Sequence, residues 1–176
     1  MFEENRPTEG KDMIETALRI DPRMPSAYNS LALYYVANNT PEVALARLLE
    51  GVKHCPQAPG IRFDLGNIYS SLNQPREAIE QFELALDLGT DIPASTLHNI
   101  GNQLIKVGEK ARAITYYNRA LEQDEMHFGA RHNLAIANYE IGNIDSARAQ
   151  ANRLIELDPD GDHGAWARKF LRKISE

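Results

Sequence analysis

The sequence predicts an all-α fold of stacked helix hairpins, and three spacings carry that prediction. A small residue after an aliphatic one recurs as Leu31-Ala32, Leu65-Gly66, Ile100-Gly101 and Leu134-Ala135, the small residues standing 34, 35 and 34 positions apart. An alanine follows twelve positions after each: Ala44, Ala78, Ala113 and Ala147. A residue suited to a left-handed turn follows seven after each: Asn39, Asn73, Gly108 and Gly142. A fixed period in this range marks a repeat array, because one hairpin cannot bury its apolar face alone and must stack on a neighbour. The apolar period is helical throughout, and strand-like alternation is absent.

Ten helices are predicted, in order. The first, 8–20, carries Ile14, Ala17 and Leu18 before Pro22 and reads as the second helix of a repeat whose first is missing. Helix 25–37 holds Tyr28, Leu31, Ala32 and Tyr35 and ends toward Asn39. Helix 41–54 opens with Thr40 as N-cap and Pro41 at the first helical position. Helices 59–72 and 75–88 flank Asn73, and Pro75 again starts a helix. In the second of these, Ala78, Ile79, Phe82 and Ala85 share one face. Helix 93–106 starts at Ile92-Pro93, and helix 109–122 repeats the face as Ala113, Ile114, Tyr117 and Ala120. Helices 127–141 and 144–157 flank Gly142. The last, 163–174, sets Ala165, Trp166, Phe170, Leu171 and Ile174 largely opposite Arg168, Lys169, Arg172 and Lys173, as a terminal capping helix requires. The recurring Gly or Ala is expected to let paired helices approach closely, so that Gly66→Val overpacks the hairpin.

These positions resemble the tetratricopeptide repeat (TPR) family. The fullest match is Leu65-Gly66-x-x-Tyr69 with Ala78, Phe82 and Ala85, and three other repeats share its register. The resemblance covers roughly residues 8–161 and implies one right-handed superhelical solenoid over 1–176. Its divisions would be a partial repeat at 8–24, full repeats at 25–58, 59–93, 94–127 and 128–161, and a cap at 162–176. Departures are visible. The bulky aromatic expected early in each first helix is Tyr28 once, and elsewhere Arg62, Leu97 or Arg131. Asn138 replaces a usual Tyr, and Thr90 and Glu125 stand in closing-proline slots.

Composition narrows the function classes. A formal net charge of −6 argues against nucleic acid or an anionic membrane as the main partner. No apolar run approaches the about 18 residues that span a bilayer, so no membrane insertion is expected. Met1–Gly10 is polar and acidic, unlike a signal peptide, and a cytoplasmic location is the expectation. The single Cys55 is read as a small apolar residue at a helix end rather than as a redox thiol.

Catalytic motifs are absent from the sequence: no Walker glycine loop, nucleophile elbow or HExxH is found, and neither an enzyme nor a cofactor is expected. Asn38-Asn39-Thr40 is a formal glycosylation sequon that reads more naturally as a turn. His98 and His132 occupy equivalent points of adjacent repeats, about 10 Å apart at usual helix-packing distances, and read as groove residues rather than metal ligands.

Resemblance to the family implies that the first helices line a concave face where ligands lie. The candidate groove residues there are Asn29, Phe63, Asp64, Asn67, His98, Asn99, Asn102, His132, Asn133 and Tyr139. An asparagine amide offers both donors and an acceptor, and so can read a peptide backbone. Asn67, Asn99, Asn102 and Asn133 resemble the asparagine ladder in the TPR superhelix of O-linked N-acetylglucosamine transferases. The alternative is that these residues simply cover a solvated face. The carboxylate clamp of chaperone-binding TPR proteins is not matched, because its lysine position holds Asn29, Phe63, His98 or His132.

The expected function is a non-enzymatic protein-interaction module that holds a partner peptide or helix in this groove. Two alternatives stand beside it: a unit that self-associates through the N-terminal half-repeat, and a regulatory segment of a larger enzyme or membrane protein. On the first reading the groove asparagines are expected to be solvent-accessible and to carry recognition rather than stability.

Overall fold

In the computed structural model, residues 6–89 and 91–175 are described. Residues 1–5, on which the signal-peptide reading partly rests, and Thr90 lie outside them. The described residues form ten helices and no strand: α1 Arg6–Ile20, α2 Pro25–Ala37, α3 Pro41–His54, α4 Pro59–Ser71, α5 Pro75–Asp87, α6 Ala94–Lys106, α7 Lys110–Gln123, α8 Phe128–Glu140, α9 Ile144–Leu157 and α10 Asp162–Lys173. Every predicted helix is present, with ends displaced by no more than two residues.

The chain divides into two compact units, 1–91 and 92–176. In the first, α2 pairs with α3 and α4 with α5, while α3 and α2 both pack on α4 and α1 lies on α2. Its core is Tyr28, Ala32, Ala44, Leu48, Ile61, Leu65 and Ile68, with Leu18 of α1 against it. In the second, α6 pairs with α7 and α8 with α9, α8 packs on α7 and α6, and α10 covers α9 and α8. There Ala135, Ala147, Ala151, Leu154, Ala167 and Phe170 share a core. The α10 basic residues are exposed, as expected.

Turn chemistry follows the repeat. Asn39 and Asn73 have φ of 56° and 55°, and Gly108 and Gly142 have 84° and 85°. This is the left-handed region that Asn tolerates and Gly adopts freely. One cap differs from expectation. The Thr40 side chain makes no N-cap bond; its hydroxyl donates to the Tyr35 carbonyl, 2.9 Å away, and so closes the preceding helix. Pro93 stands just before its helix, with ψ 151°, and α6 begins at Ala94.

Two of the three missing aromatics share one replacement. Arg62 donates to Gln81 Oε1 at 2.8 Å, and Arg131 to Gln150 Oε1 at 2.9 Å. Each pair bridges the two helices of a hairpin from equivalent repeat positions. The same two positions hold Leu97 and Tyr116 in the α6–α7 hairpin, both buried. Arg131 is tolerated inside because its two terminal nitrogens are paired, with Gln150 and the Glu125 carbonyl, while its stem packs; its Nε is left buried without a partner among the described residues. Asn138, in the place of a Tyr, is buried and donates to the Leu134 carbonyl of its own helix at 2.9 Å. Cys55 packs against the first core, and burial pushes its thiol up, away from the reactive thiolate.

Ile14, Ala17 and Leu18 are half-buried, while Met13 and Ile20 of α1 are exposed. Beyond α2, α1 reaches α3 through the half-exposed Glu15–Arg47 ion pair at 3.3 Å, a kind of contact that contributes little. Hydrogen exchange is therefore expected to be faster in residues 10–20 than in α4 and α5. Equal protection in dilute solution would show that α1 is held by more than these contacts.

Candidate functional site

Helices α2 and α4 lie side by side in the first unit because the small residues Ala32 and Gly66 seat each of them on its own hairpin partner. Between α2 and α4 opens a cleft of about 420 Å³ lined by Asn29, Ser30, Leu33, Val36, Asp64, Asn67, Ile68 and Ser71. Its α2 wall is apolar and open, with Leu33 71% and Val36 44% exposed. Its other residues are polar apart from Ile68; the Ser30 and Ser71 hydroxyls donate to the Ser26 and Ile68 carbonyls of their own helices, and the remaining three are uncommitted in whole or in part. Asn67 is exposed. The Asn29 amide oxygen is buried without a hydrogen-bond partner. Asp64 is half-buried and makes no hydrogen bond or ion pair among the described residues, and burial pushes its carboxyl up to about 6. Phe63 turns away from this cleft and meets Phe82 edge-on, ring centres 6.1 Å apart. It is therefore a packing residue between α4 and α5.

The equivalent face of the second unit is built differently. Asn133 Nδ2 donates to Asn102 Oδ1 at 2.8 Å and lies 3.0 Å from His98 Nε2. An amide nitrogen only donates, so His98 Nε2 accepts and the imidazole is neutral, with its proton on Nδ1. The Tyr117 hydroxyl donates to the same Asn102 oxygen at 2.9 Å. Burial holds His98 down to about 4, with His127, ring centre 4.8 Å away, adding to the effect. Burial pushes the Tyr117 phenol up to about 12, so it remains a donor. His127 in turn caps α8, its Nδ1 accepting from the Ala130 amide at 3.1 Å.

The remaining candidates divide. His132 stacks on Trp166 of α10 with ring centres 3.7 Å apart, and burial lowers its pKa. Tyr139 meets Phe170 of α10 edge-on at 5.8 Å. Both hold the last helix in place, and Tyr139 also edges a second cleft with Trp166 and Phe170. Asn99 is exposed and joins neither group.

Expected accessibility therefore holds for Asn67 and Asn99 and fails for Asn102 and Asn133, which are half-buried and committed to each other. The reason is tertiary: an acceptor on α6 and a donor on α8 meet where these helices touch. Replacing Asn102 with Ala leaves the Tyr117 hydroxyl without its acceptor and the Asn133 amide with His98 Nε2 alone. The expected cost is about 1–3 kcal/mol. Asn67→Ala and Asn99→Ala are expected to stay within about 0.5 kcal/mol of the parent. Urea titrations of the three variants check this, and an Asn102→Ala variant that unfolds with the parent would show the network to be inert.

Sequence reasoning missed Val36, Ile68 and Ser71 in the cleft and the Tyr117 hydroxyl in the network. Val36 and Ser71 lie about one turn beyond Leu33 and Asn67, and extending the stripe by that turn in every repeat finds them.

Comparison with known proteins agrees with this architecture. Two tetratricopeptide repeat models match, one over residues 98–162 and one over 59–88, together more than half of the chain. The chain belongs to the tetratricopeptide repeat family. A TPR repeat-containing protein of Bacillus subtilis (strain 168), YpiA, is 24% identical over 151 residues, 84% of this chain. The chain spans about a third of that relative, 35% of its length. Among solved structures, YrrB, a TPR protein with an unusual peptide-binding site, is similar with a TM-score of 0.75 at 25% identity, over 83% of this chain and 75% of its own. MamA is similar with a TM-score of 0.73 at 19% identity, over 89% of this chain and 94% of its own. Pseudomonas aeruginosa pilF is similar with a TM-score of 0.72 at 17% identity, over 97% of this chain and 79% of its own. The last two likenesses concern the fold alone. The fold is an all-α TPR solenoid of the kind that serves as a protein-interaction scaffold. Among the described residues no helix is long and apolar enough to cross a membrane.

Proposed function

We propose that this TPR chain is a non-enzymatic interaction module that takes a partner peptide or helix against its first-helix face. The observation that carries the reading is the α2–α4 cleft. Leu33 and Val36 are open to solvent at the wall of a concavity that also holds Asp64, Asn67 and the Asn29 amide oxygen without hydrogen-bond partners among the described residues. Hydrophobic side chains exposed around uncommitted polar groups mark ligand surfaces more often than solvated faces. The likeness to YrrB, a TPR protein with a peptide-binding site, supports a peptide as the kind of ligand.

An affinity pull-down with mass spectrometry, run beside a Leu33→Ser, Asn67→Ala variant, tests it. Both positions are exposed, so the variant is expected to melt like the parent and to lose the captured partner. Capture of the same proteins by both would place binding elsewhere. Self-association through α1 is a second reading, favoured by the exposure of Met13 (73%) and Ile20 (82%). Sedimentation of the parent beside Met13→Ser, Ile20→Ser separates the two, since only self-association predicts a mass that these changes reduce.

A further inference from the structure

We propose that the α2–α4 cleft is selective for an apolar segment of a partner protein that carries a lysine or arginine, the cation seating against Asp64 beside Leu33 and Val36. The proposal rests on the groove reading above and adds the chemistry of the occupant.

Asp64 is an unusual acid for its setting. The other acidic side chains that line a cleft are mostly engaged: Glu15 and Glu50 bond Arg47, and Glu140 bonds Lys110. Asp64 has no such partner among the described residues, and its neighbours in the cleft are amides, hydroxyls and aliphatic groups. A half-buried carboxylate without a counter-ion is unfavourable, and the rise of its pKa to about 6 expresses that cost. A cation brought by a ligand removes it, with a charge-assisted bond in a site partly shielded from water. Asn29 adds a second acceptor. It lines the same cleft, and its amide oxygen is buried without a donor among the described residues. Among the described residues the lining holds one carboxylate and no cationic side chain, which favours a cationic group over an anionic one. Leu33 and Val36, one turn apart on α2, supply the apolar contact. A lysine or arginine suits both demands, since its stem packs on apolar surface while its head pairs.

The test uses three fluorescein-labelled peptides of equal length, alternating leucine with lysine, with glutamine or with glutamate, titrated by fluorescence anisotropy. Asp64→Asn, Leu33→Ser and, as a charge control away from the cleft, Glu122→Gln at an exposed position of α7 are compared with the parent. Thermal melts of each variant establish that it is folded, and Asp64→Asn should melt no lower than the parent. The leucine–lysine peptide is expected to bind the parent roughly ten-fold more tightly than the leucine–glutamine peptide, the scale of one charge-assisted bond. Asp64→Asn should abolish that preference, Glu122→Gln should keep it, and Leu33→Ser should weaken both peptides. Equal binding of the lysine and glutamine peptides, or an unchanged preference in Asp64→Asn, overturns the cation proposal. If Leu33→Ser still weakens both peptides in that case, the groove reading survives. Absence of binding by every peptide, or affinities indifferent to Leu33→Ser, sinks both.

Discussion

Replacing Phe82 with Ala is expected to destabilise the first unit by about 3–5 kcal/mol, the usual cost of emptying a fully buried aromatic site. Phe82 is 0% exposed and lies against Gly66 of the facing helix, where a Cβ would come within 2.6 Å of its ring carbons. Gly66→Ala is therefore also harmful, by about 1–3 kcal/mol, although alanine is the better helix former. The four repeats show how the two positions depend on each other. Gly66 faces Phe82, and Gly101 faces Tyr117. Where the small residue is alanine, the corresponding position of the second helix is Leu48 or Ala151, all of them buried. The double variant Gly66→Ala, Phe82→Leu copies the Ala32–Leu48 arrangement. It is expected to be more stable than the sum of its single changes by about 0.5–3 kcal/mol, which a double-mutant cycle in urea measures. Strict additivity would mean that the contact does not govern hairpin spacing.

Acidification should weaken the fold through His98. Its pKa is about 4 in the folded chain and about 6.5 when unfolded, so the unfolded chain takes up the proton first. The contribution is fully present above about pH 6.5 and is lost as pH falls toward about 4. Protonation turns Nε2 from an acceptor into a donor facing the Asn133 amide, with His127 close by. A shift of this size sets an upper limit of about 3 kcal/mol, and solvent screening of the half-exposed ring reduces it to about 1–2. His132, also lowered by burial, adds in the same direction. Asp64 opposes both: its raised pKa makes the folded chain the better proton acceptor between about 3.8 and 6. The informative quantity is consequently the difference between parent and His98→Gln, since glutamine retains an acceptor without titrating there. As pH falls from about 7 to about 4.5 the parent should lose melting temperature relative to His98→Gln. A gap that does not change with pH would show that His98 is not the group responsible.

Helix positions, turn residues and hairpin pairing were legible in the chain because they depend on local chemistry repeated at a fixed period. Asn39 and Gly108 can stand in a left-handed turn wherever they occur, and Leu65-Gly66 can only be a close-packing point of a helix. The candidate site was legible only as a stripe. Asn29, Asp64 and Asn67 share a cleft, as their common spacing from the small residue suggested. Their roles were not visible, since an amide reads the same in sequence whether it is bare, like Asn67, or consumed, like Asn133. That distinction depends on which side chain arrives from another helix: Asn102 and His98 at Asn133, Trp166 at His132, Phe82 at Phe63, and none at Asp64. Periodicity along the chain thus determined that these helices pair and where each begins. Contact across helices, decided by side-chain volume and by the meeting of donors with acceptors, determined which polar groups are spent on the fold and which remain for a partner.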